Sequence, residues 1–151
     1  MEAPENNILP FRNSYQHAAR TFWTAKFSEI RSIFACNKNG HQTVKGLIGE
    51  IYGKESGCAK GVGGSMHLVD IKAGIYGCVP IVGSTIPISV GSAWSNKILK
   101  KNLITVVYFG DGATEQGVFY ESLNFAKIHK VPILFVCENN FYSIYTDYKR
   151  R

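Results

Sequence analysis

The sequence predicts an α/β fold in which a parallel sheet is flanked by helices. Two apolar runs rich in β-branched and aromatic residues, Leu103–Phe109 and Val131–Cys137, are typical of buried strands. Between them, the stretch from Gly117 to His129 places apolar residues at an imperfect helical spacing. The order strand, helix, strand is a β-α-β unit, which predicts that the two strands are parallel neighbours.

The composition is typical of one globular domain. The chain has 151 residues, of which 45% are hydrophobic and 19% charged. Half of the net charge of +6 comes from Lys149, Arg150 and Arg151. Because no basic face is interleaved with aromatic residues, the sequence does not favour a nucleic-acid partner.

Three further observations favour a cytoplasmic protein without a membrane partner. The four cysteines are widely spaced and form no CxxC pair, which favours reduced thiols over disulfides or zinc. The first residues lack the basic and apolar regions of a signal peptide. No apolar run approaches the ~20 residues that a membrane span needs.

Three more helices are predicted. One covers residues 14–29, and one begins with Thr43 as N-cap and ends at Gly53. The third carries Pro87 in its first turn and reaches Lys100. The glycine-rich stretch 54–79 shows no clear period and is interpreted as an irregular scaffold, in which His67 is a structural rather than a catalytic residue.

Polar residues follow both predicted strands of the β-α-β unit. Asp111, between two glycines, comes after the first strand, and Asn139 and Asn140 come after the second. Open α/β sheets bind ligands at this edge, and oxygen ligands of this kind suit a Mg²⁺ ion that holds a diphosphate. The alternative is that Asp111 forms an ordinary Asx turn and the two asparagines lie in a loop.

Four segments together resemble the α subunit of the thiamine-diphosphate-dependent E1 component of 2-oxoacid dehydrogenase complexes, of the pyruvate, acetoin and branched-chain type. They are GDGATEQGVFYESLNFA (110–126), ENNFYS (138–143), GCAKGVGGSMHL (57–68) and VPIVGSTIP (79–87). The resemblance runs from about Gly46 to Tyr145. It implies a thiamine-diphosphate-binding fold, present in part, with thiamine diphosphate and Mg²⁺ as cofactors.

The resemblance also implies which residues hold the cofactors. The Mg²⁺ ligands would be Asp111, Asn140 and the backbone carbonyl of Tyr142. Gly112 and Ala113 would offer backbone amides to the diphosphate.

Three residues outside these two motifs complete the implied cofactor site. Pro80 would offer its carbonyl to the aminopyrimidine, and Val82 would pack between the two rings of the cofactor. Arg31 would grip the diphosphate, since a guanidinium suits phosphate. It lies between Ile30 and Ile33, where the family has a tyrosine and a histidine.

The function implied by the resemblance is that of an E1 α subunit fragment. The full enzyme would oxidatively decarboxylate a 2-oxo acid such as pyruvate and pass the acyl group to the lipoyl arm of an E2 partner. An E1 β subunit would supply the catalytic glutamate in an α2β2 assembly, and no catalytic residue is assigned to this chain. Residues 1–42 are expected to form a divergent N-terminal segment, and residues 43–151 a cofactor-binding domain that is incomplete at its C-terminus.

Two other functions are alternatives to this one. A truncated, non-catalytic relative that binds only the cofactor or a partner is the alternative, because the resemblance stops short of the family's active-site loop. A dinucleotide-binding domain fits poorly, because the G-x-G-x-x-G that should follow a first strand is absent.

Overall fold

The computed structural model describes residues 21–25 and 40–151, and it is built around a four-stranded sheet. The strands are β1 (Thr21–Ala25), β2 (Ile75–Cys78), β3 (Ile104–Gly110) and β4 (Ile133–Glu138). Their order across the sheet is β2-β1-β3-β4. β1 runs antiparallel to β2 and β3, whereas β3 and β4 are parallel.

Within the described residues, three helices accompany the sheet: α1 (Gly40–Ile51), α2 (Thr85–Ile98) and α3 (Gly117–Ile128). The hydrophobic core consists of two clusters that join α2 to the sheet and to α3. The first contains Ile86, Val107, Phe109 and Ala113, and the second contains Val90, Ala93, Ala126 and Val131. Ile133 and Phe135 of β4 pack against both clusters. None of the helices in the described part of the chain has the length and apolar character that crossing a membrane requires.

The predicted β-α-β unit is confirmed as β3, α3 and β4. The two strands pair in parallel from Thr105 opposite Ile133 to Gly110 opposite Glu138. The α/β class is therefore right, although the sheet as a whole is mixed because β1 is antiparallel to its neighbours.

The helix predicted over residues 14–29 is wrong at Thr21–Ala25, which form β1, and the rest of that range lies outside the described residues. The backbone of Phe22–Ala25 pairs with Val107–Ile104 of β3. The threonine and aromatic residues of this segment favour a strand, and pairing with both β2 and β3 satisfies the backbone groups of β1. A second strand, β2, lies within the stretch that was expected to be irregular.

The predicted helix before the glycine-rich stretch is present, but Thr43 does not cap it, because α1 already begins at Gly40. Its end is as predicted. Gly53 adopts a φ of 64°, and its amide donates to the carbonyl of Glu50 at 3.0 Å. Pro87 lies in the first turn of α2, also as predicted.

The strand β4 is less buried than its sequence predicts. Leu134 is 47% exposed, and Cys137 is exposed. β4 lies at one of the two edges of the sheet formed by the described strands, so its residues gain cover mainly where Ile133 and Phe135 meet the helices.

Candidate functional site

The polar residues that follow the two parallel strands, Asp111 and the pair Asn139–Asn140, meet at one edge of the sheet. Gly110 ends β3 and is paired with Glu138, which ends β4. Asp111 and Asn139 are the residues that follow these two ends directly. Because the strands are parallel and in this register, both groups of polar residues lie at the carboxyl ends of the strands, where α/β sheets bind ligands.

Asp111 is held in a short turn that follows β3. A 3₁₀ helix spans Asp111–Glu115, and the Asp111 carbonyl accepts a hydrogen bond from Thr114 Oγ1 at 2.6 Å. Asp111 is only 8% exposed, and Ala113 is fully buried in the first core cluster. The core therefore fixes the turn, and the turn fixes the carboxylate.

The asparagines shape a small hairpin next to this turn. Strands β5 (Tyr142–Ser143) and β6 (Thr146–Asp147) form the hairpin. Asn139 Oδ1 accepts the amide of Phe141, and Asn140 Oδ1 accepts the amide of Tyr142, each at 2.9 Å. These are Asx turns, which set the orientation of both carboxamides.

The turn and the hairpin approach each other at Gly112. A Cβ atom on Gly112 would lie 2.7 Å from Ser143 Oγ and 3.4 Å from Arg151 Nη1. Because glycine has no Cβ, the hairpin that carries Asn140 and Tyr142 can lie directly against the turn that carries Asp111.

The segment before α2 adjoins the same region. Val82 packs against the cluster that contains Ile86 and Ala113, and a Cβ on Gly83 would contact the side chain of Gln116 at 3.5 Å. Pro80 is exposed. Arg31 lies outside the described residues. The cofactor roles assigned to these residues by resemblance remain predictions.

A buried arginine at this site was missed by the sequence analysis. The Arg151 side chain is 4% exposed, its Nη2 donates to Asp111 Oδ2, and its Nη1 lies 2.8 Å from Glu115 Oε1. The hydrogen bond to Asp111 is the main cause that raises the pKa of Arg151 above its usual value. In the sequence, Arg151 is part of a basic run, and nothing in that run distinguishes it from its exposed neighbour Arg150.

The glycine-rich stretch encloses a carboxylate that the sequence pattern did not predict. Glu50 is fully buried at the end of α1. Its Oε2 accepts the amides of Ala59 at 2.7 Å and Gly61 at 2.9 Å. Its Oε1 accepts those of Gly63 at 2.6 Å and Gly64 at 3.3 Å. Burial acts to raise the pKa of Glu50, but these four hydrogen bonds outweigh burial and hold it below the usual value.

The glycines of this stretch are required by the close approach of the loop to α1. A Cβ on Gly57 would lie 2.4 Å from Glu50 Oε2 and 2.6 Å from its Cα. The stretch is therefore an ordered clasp around one carboxylate, which agrees with its interpretation as scaffold.

The predicted oxygen donors at the sheet edge include both charged and neutral groups. The described part of the chain contains no cluster of three or more His, Cys, Asp or Glu residues that suits a metal ion. The predicted ligands do not require one, since they comprise a single carboxylate, a carboxamide and a backbone carbonyl. This combination is appropriate for Mg²⁺, which shares its coordination shell with phosphate oxygens and water.

Comparison with known proteins supports the resemblance over most of the chain. A family model described as "Dehydrogenase E1 component" matches residues 16–151. The α subunit of acetoin:2,6-dichlorophenolindophenol oxidoreductase from Bacillus subtilis is 40% identical over 116 residues, which are 74% of this chain and 35% of that protein.

Two pyruvate dehydrogenase E1 component α subunits show similar agreement. The protein from Rickettsia prowazekii is 43% identical over 106 residues, which cover 70% of this chain and 32% of that protein. The mitochondrial protein from Solanum tuberosum is 39% identical over 104 residues, which cover 69% and 27%. The chain thus corresponds to about a third of the length of these relatives, and it belongs to the dehydrogenase E1 component family.

Proposed function

We propose that this chain is the cofactor-anchoring part of the α subunit of a thiamine-diphosphate-dependent 2-oxoacid dehydrogenase E1. The observation that carries the proposal is the position of Asp111 directly after β3 and of Asn140 two residues after the end of β4, at one edge of the sheet. The α subunits of pyruvate dehydrogenase and acetoin oxidoreductase among the relatives support it.

The residues present fit a Mg²⁺ diphosphate in their donor chemistry. Asp111, Asn140 and the carbonyl of Tyr142 are hard oxygen donors, and the hairpin lies against the Asp111 turn at Gly112. One contact opposes binding: the Asp111 carboxylate is paired with Arg151. The site therefore suits the cofactor once this ion pair opens.

Each residue would have a defined task. Asp111, Asn140 and Tyr142 would hold the cation. The amides of Gly112 and Ala113 would bind the diphosphate, because the first amides of a helical turn have no partner within it. Val82 and Pro80 would orient the ring system, with Arg31 as a further phosphate contact. When bound, thiamine diphosphate supplies the carbanion chemistry that decarboxylates a 2-oxo acid.

The partners follow from the same assignment. Glu50 is the buried carboxylate that the glycine-rich stretch encloses. It accepts hydrogen bonds from four backbone amides, so it is not available as an acid or base. By the family resemblance, the activating glutamate would come from an E1 β subunit, and the acyl acceptor would be a lipoyl-bearing E2. Pyruvate, a branched-chain 2-oxo acid and acetoin are the candidate substrates.

The test is cofactor binding by the chain coexpressed with an E1 β subunit. Calorimetric titration with thiamine diphosphate in the presence of Mg²⁺ should give saturable binding that Asp111→Asn abolishes. Asp70→Asn is the matched control, because Asp70 is a carboxylate that caps another short turn and should leave the affinity unchanged. Equal affinities in the wild type and Asp111→Asn would exclude the proposed site.

The substrate class is tested separately by dye reduction. The same coexpressed pair should reduce 2,6-dichlorophenolindophenol when given one of the three candidate substrates together with the cofactors. Cofactor binding without dye reduction by any of them would instead favour the non-catalytic relative. The specific observation in favour of that second function is the pairing of Asp111 with Arg151.

A further inference from the structure

The guanidinium of Arg151 lies between two carboxylates of the Asp111–Glu115 turn. Nη2 donates to Asp111 Oδ2, and Nη1 lies 2.8 Å from Glu115 Oε1. The guanidinium carbon is 5.7 Å from the centre of the Tyr148 ring. Arg151 therefore contacts the same carboxylate that the proposed function assigns to the divalent cation.

The backbone that carries Arg151 is ordered by the hairpin. The Tyr148 amide donates to the carbonyl of Phe141 at 2.8 Å, and the Lys149 amide donates to Asp147 Oδ1 at 2.8 Å. The Arg151 amide donates to the carbonyl of Tyr148 at 3.3 Å. Arg151 is thus fixed to the same hairpin that presents Asn140 and Tyr142, so its contact with Asp111 depends on the position of that hairpin.

The positive charge of Arg151 opposes a divalent cation at Asp111. A guanidinium stays charged at every relevant pH, and the Arg151 side chain is only 4% exposed. A cation placed on Asp111 would meet this like charge at short range, while Asp111 Oδ2 is already engaged by the guanidinium. Cation binding is therefore weakened as long as the guanidinium stays paired with Asp111.

The buried hydrogen-bond donors of Arg151 are also incompletely satisfied. Its Nε and Nη1 are buried and make no hydrogen bond among the described residues, although Nη1 lies 2.8 Å from Glu115 Oε1. An unsatisfied buried donor costs free energy, so the ion pair is weaker than its two carboxylate contacts suggest. This makes displacement by a divalent cation feasible.

We infer that Arg151 is an internal competitor for the divalent cation at Asp111, and that it lowers the affinity of the site for the metal. The inference rests on the proposed function, because it requires that Asp111 is a cation ligand. In this arrangement the ion pair keeps the turn and hairpin together without metal, and the cation takes over that role when it binds.

The experiment measures Mn²⁺ binding, as a spectroscopic substitute for Mg²⁺, by electron paramagnetic resonance of the unbound ion. Arg151→Gln should bind Mn²⁺ roughly five- to tenfold more tightly than the wild type, within the usual range of coupling between two sites. The matched control is Arg150→Gln, which removes the same charge from an exposed neighbour and should change the affinity less than about twofold. An equal gain in both variants, or no gain in Arg151→Gln, would overturn the inference.

A second readout keeps the inference testable if Arg151→Gln is unstable. Arg151→Lys keeps the charge but loses the two-pronged contact, so it should give an intermediate gain in Mn²⁺ affinity. Mn²⁺ should also raise the melting temperature of Arg151→Lys more than that of the wild type. A smaller rise than in the wild type would contradict the competition.

The cofactor titration separates this inference from the proposed function. If Asp111→Asn abolishes thiamine diphosphate binding and Arg151→Gln does not tighten Mn²⁺ binding, only the competition is wrong. If Arg151→Gln weakens thiamine diphosphate binding, Arg151 is a cofactor ligand and the competition is again wrong. If Asp111→Asn leaves cofactor binding unchanged, the proposed function itself fails, and the inference fails with it.

Discussion

Gly112 and Ser143 approach so closely that a Cβ atom on the glycine would lie 2.7 Å from the serine Oγ and 3.0 Å from its Cβ. The contact joins the turn after β3 to the hairpin after β4. It brings Asp111 and the Asn140–Tyr142 segment into one unit, although they are separated along the chain by α3 and β4. The geometry of the candidate site therefore depends on the absence of a side chain at position 112.

Substituting Gly112→Ala should destabilise the chain and separate the turn from the hairpin. Adding a methyl group to a contact this close typically costs about 1–3 kcal/mol, because neighbouring atoms must move. The free energy of unfolding from urea denaturation measures the loss. The double variant Gly112→Ala with Ser143→Gly removes both nearest atoms and should recover most of it. Equal losses with and without Ser143→Gly would show that the close contact is not the cause.

The sequence was sufficient to predict the β-α-β unit and the sheet edge at which Asp111 and Asn140 lie. Two apolar runs around one amphipathic stretch allow few arrangements, and parallel strands must present their carboxyl ends together. That is why the positions of Asp111 and Asn140 were predicted correctly from the strand ends alone. The assignments of cofactor contacts to Pro80 and Val82 needed family resemblance, since neither follows from periodicity.

The features that were missed depend on contacts between segments far apart in the chain. β1 is a strand because β3 offers it a pairing edge and because the threonine and aromatic residues of Thr21–Ala25 favour a strand, although the sequence analysis predicted a helix there. Arg151 looks like any exposed basic residue until the hairpin places it on Asp111. Glu50 looks like a polar residue of a helix, and its burial follows only from the path of the glycines around it.

Replacing Glu50 with glutamine should destabilise the glycine-rich clasp. A carboxylate accepts hydrogen bonds on both oxygens, whereas a carboxamide would turn an NH₂ group toward one pair of the amide donors and leave them unsatisfied. The melting temperature followed by circular dichroism should fall for Glu50→Gln. Glu55→Gln, which changes an exposed glutamate nearby, should leave it unchanged. A similar melting temperature in both variants would show that the four amides do not depend on the charge.

The same carboxylate predicts how stability depends on acid. The pKa of Glu50 is lower in the folded chain than in the unfolded chain, so its charge stabilises the fold fully above the unfolded value. That contribution is lost as the pH falls below about 4.3, the usual glutamate value, toward the lower folded pKa. Unfolding free energies measured between neutral pH and acid should therefore decline less steeply for Glu50→Gln than for the wild type. A Glu50→Gln profile as steep as that of the wild type, with Glu55→Gln as reference, would exclude Glu50 as the responsible group.

The substitution Gly91→Ala should stabilise the chain. Gly91 lies inside α2, its φ is not positive, and a Cβ there would meet nothing within 4 Å. Alanine restricts the unfolded chain and favours the helix, so Gly91→Ala should raise the free energy of unfolding by about 0.4–1 kcal/mol. Gly61→Ala is the contrast, because Gly61 has a φ of 79° and its Cβ would lie 2.6 Å from the carbonyl carbon of Gly53. Destabilisation by Gly91→Ala would mean that this face of α2 is in contact with a group outside the residues that the structure describes.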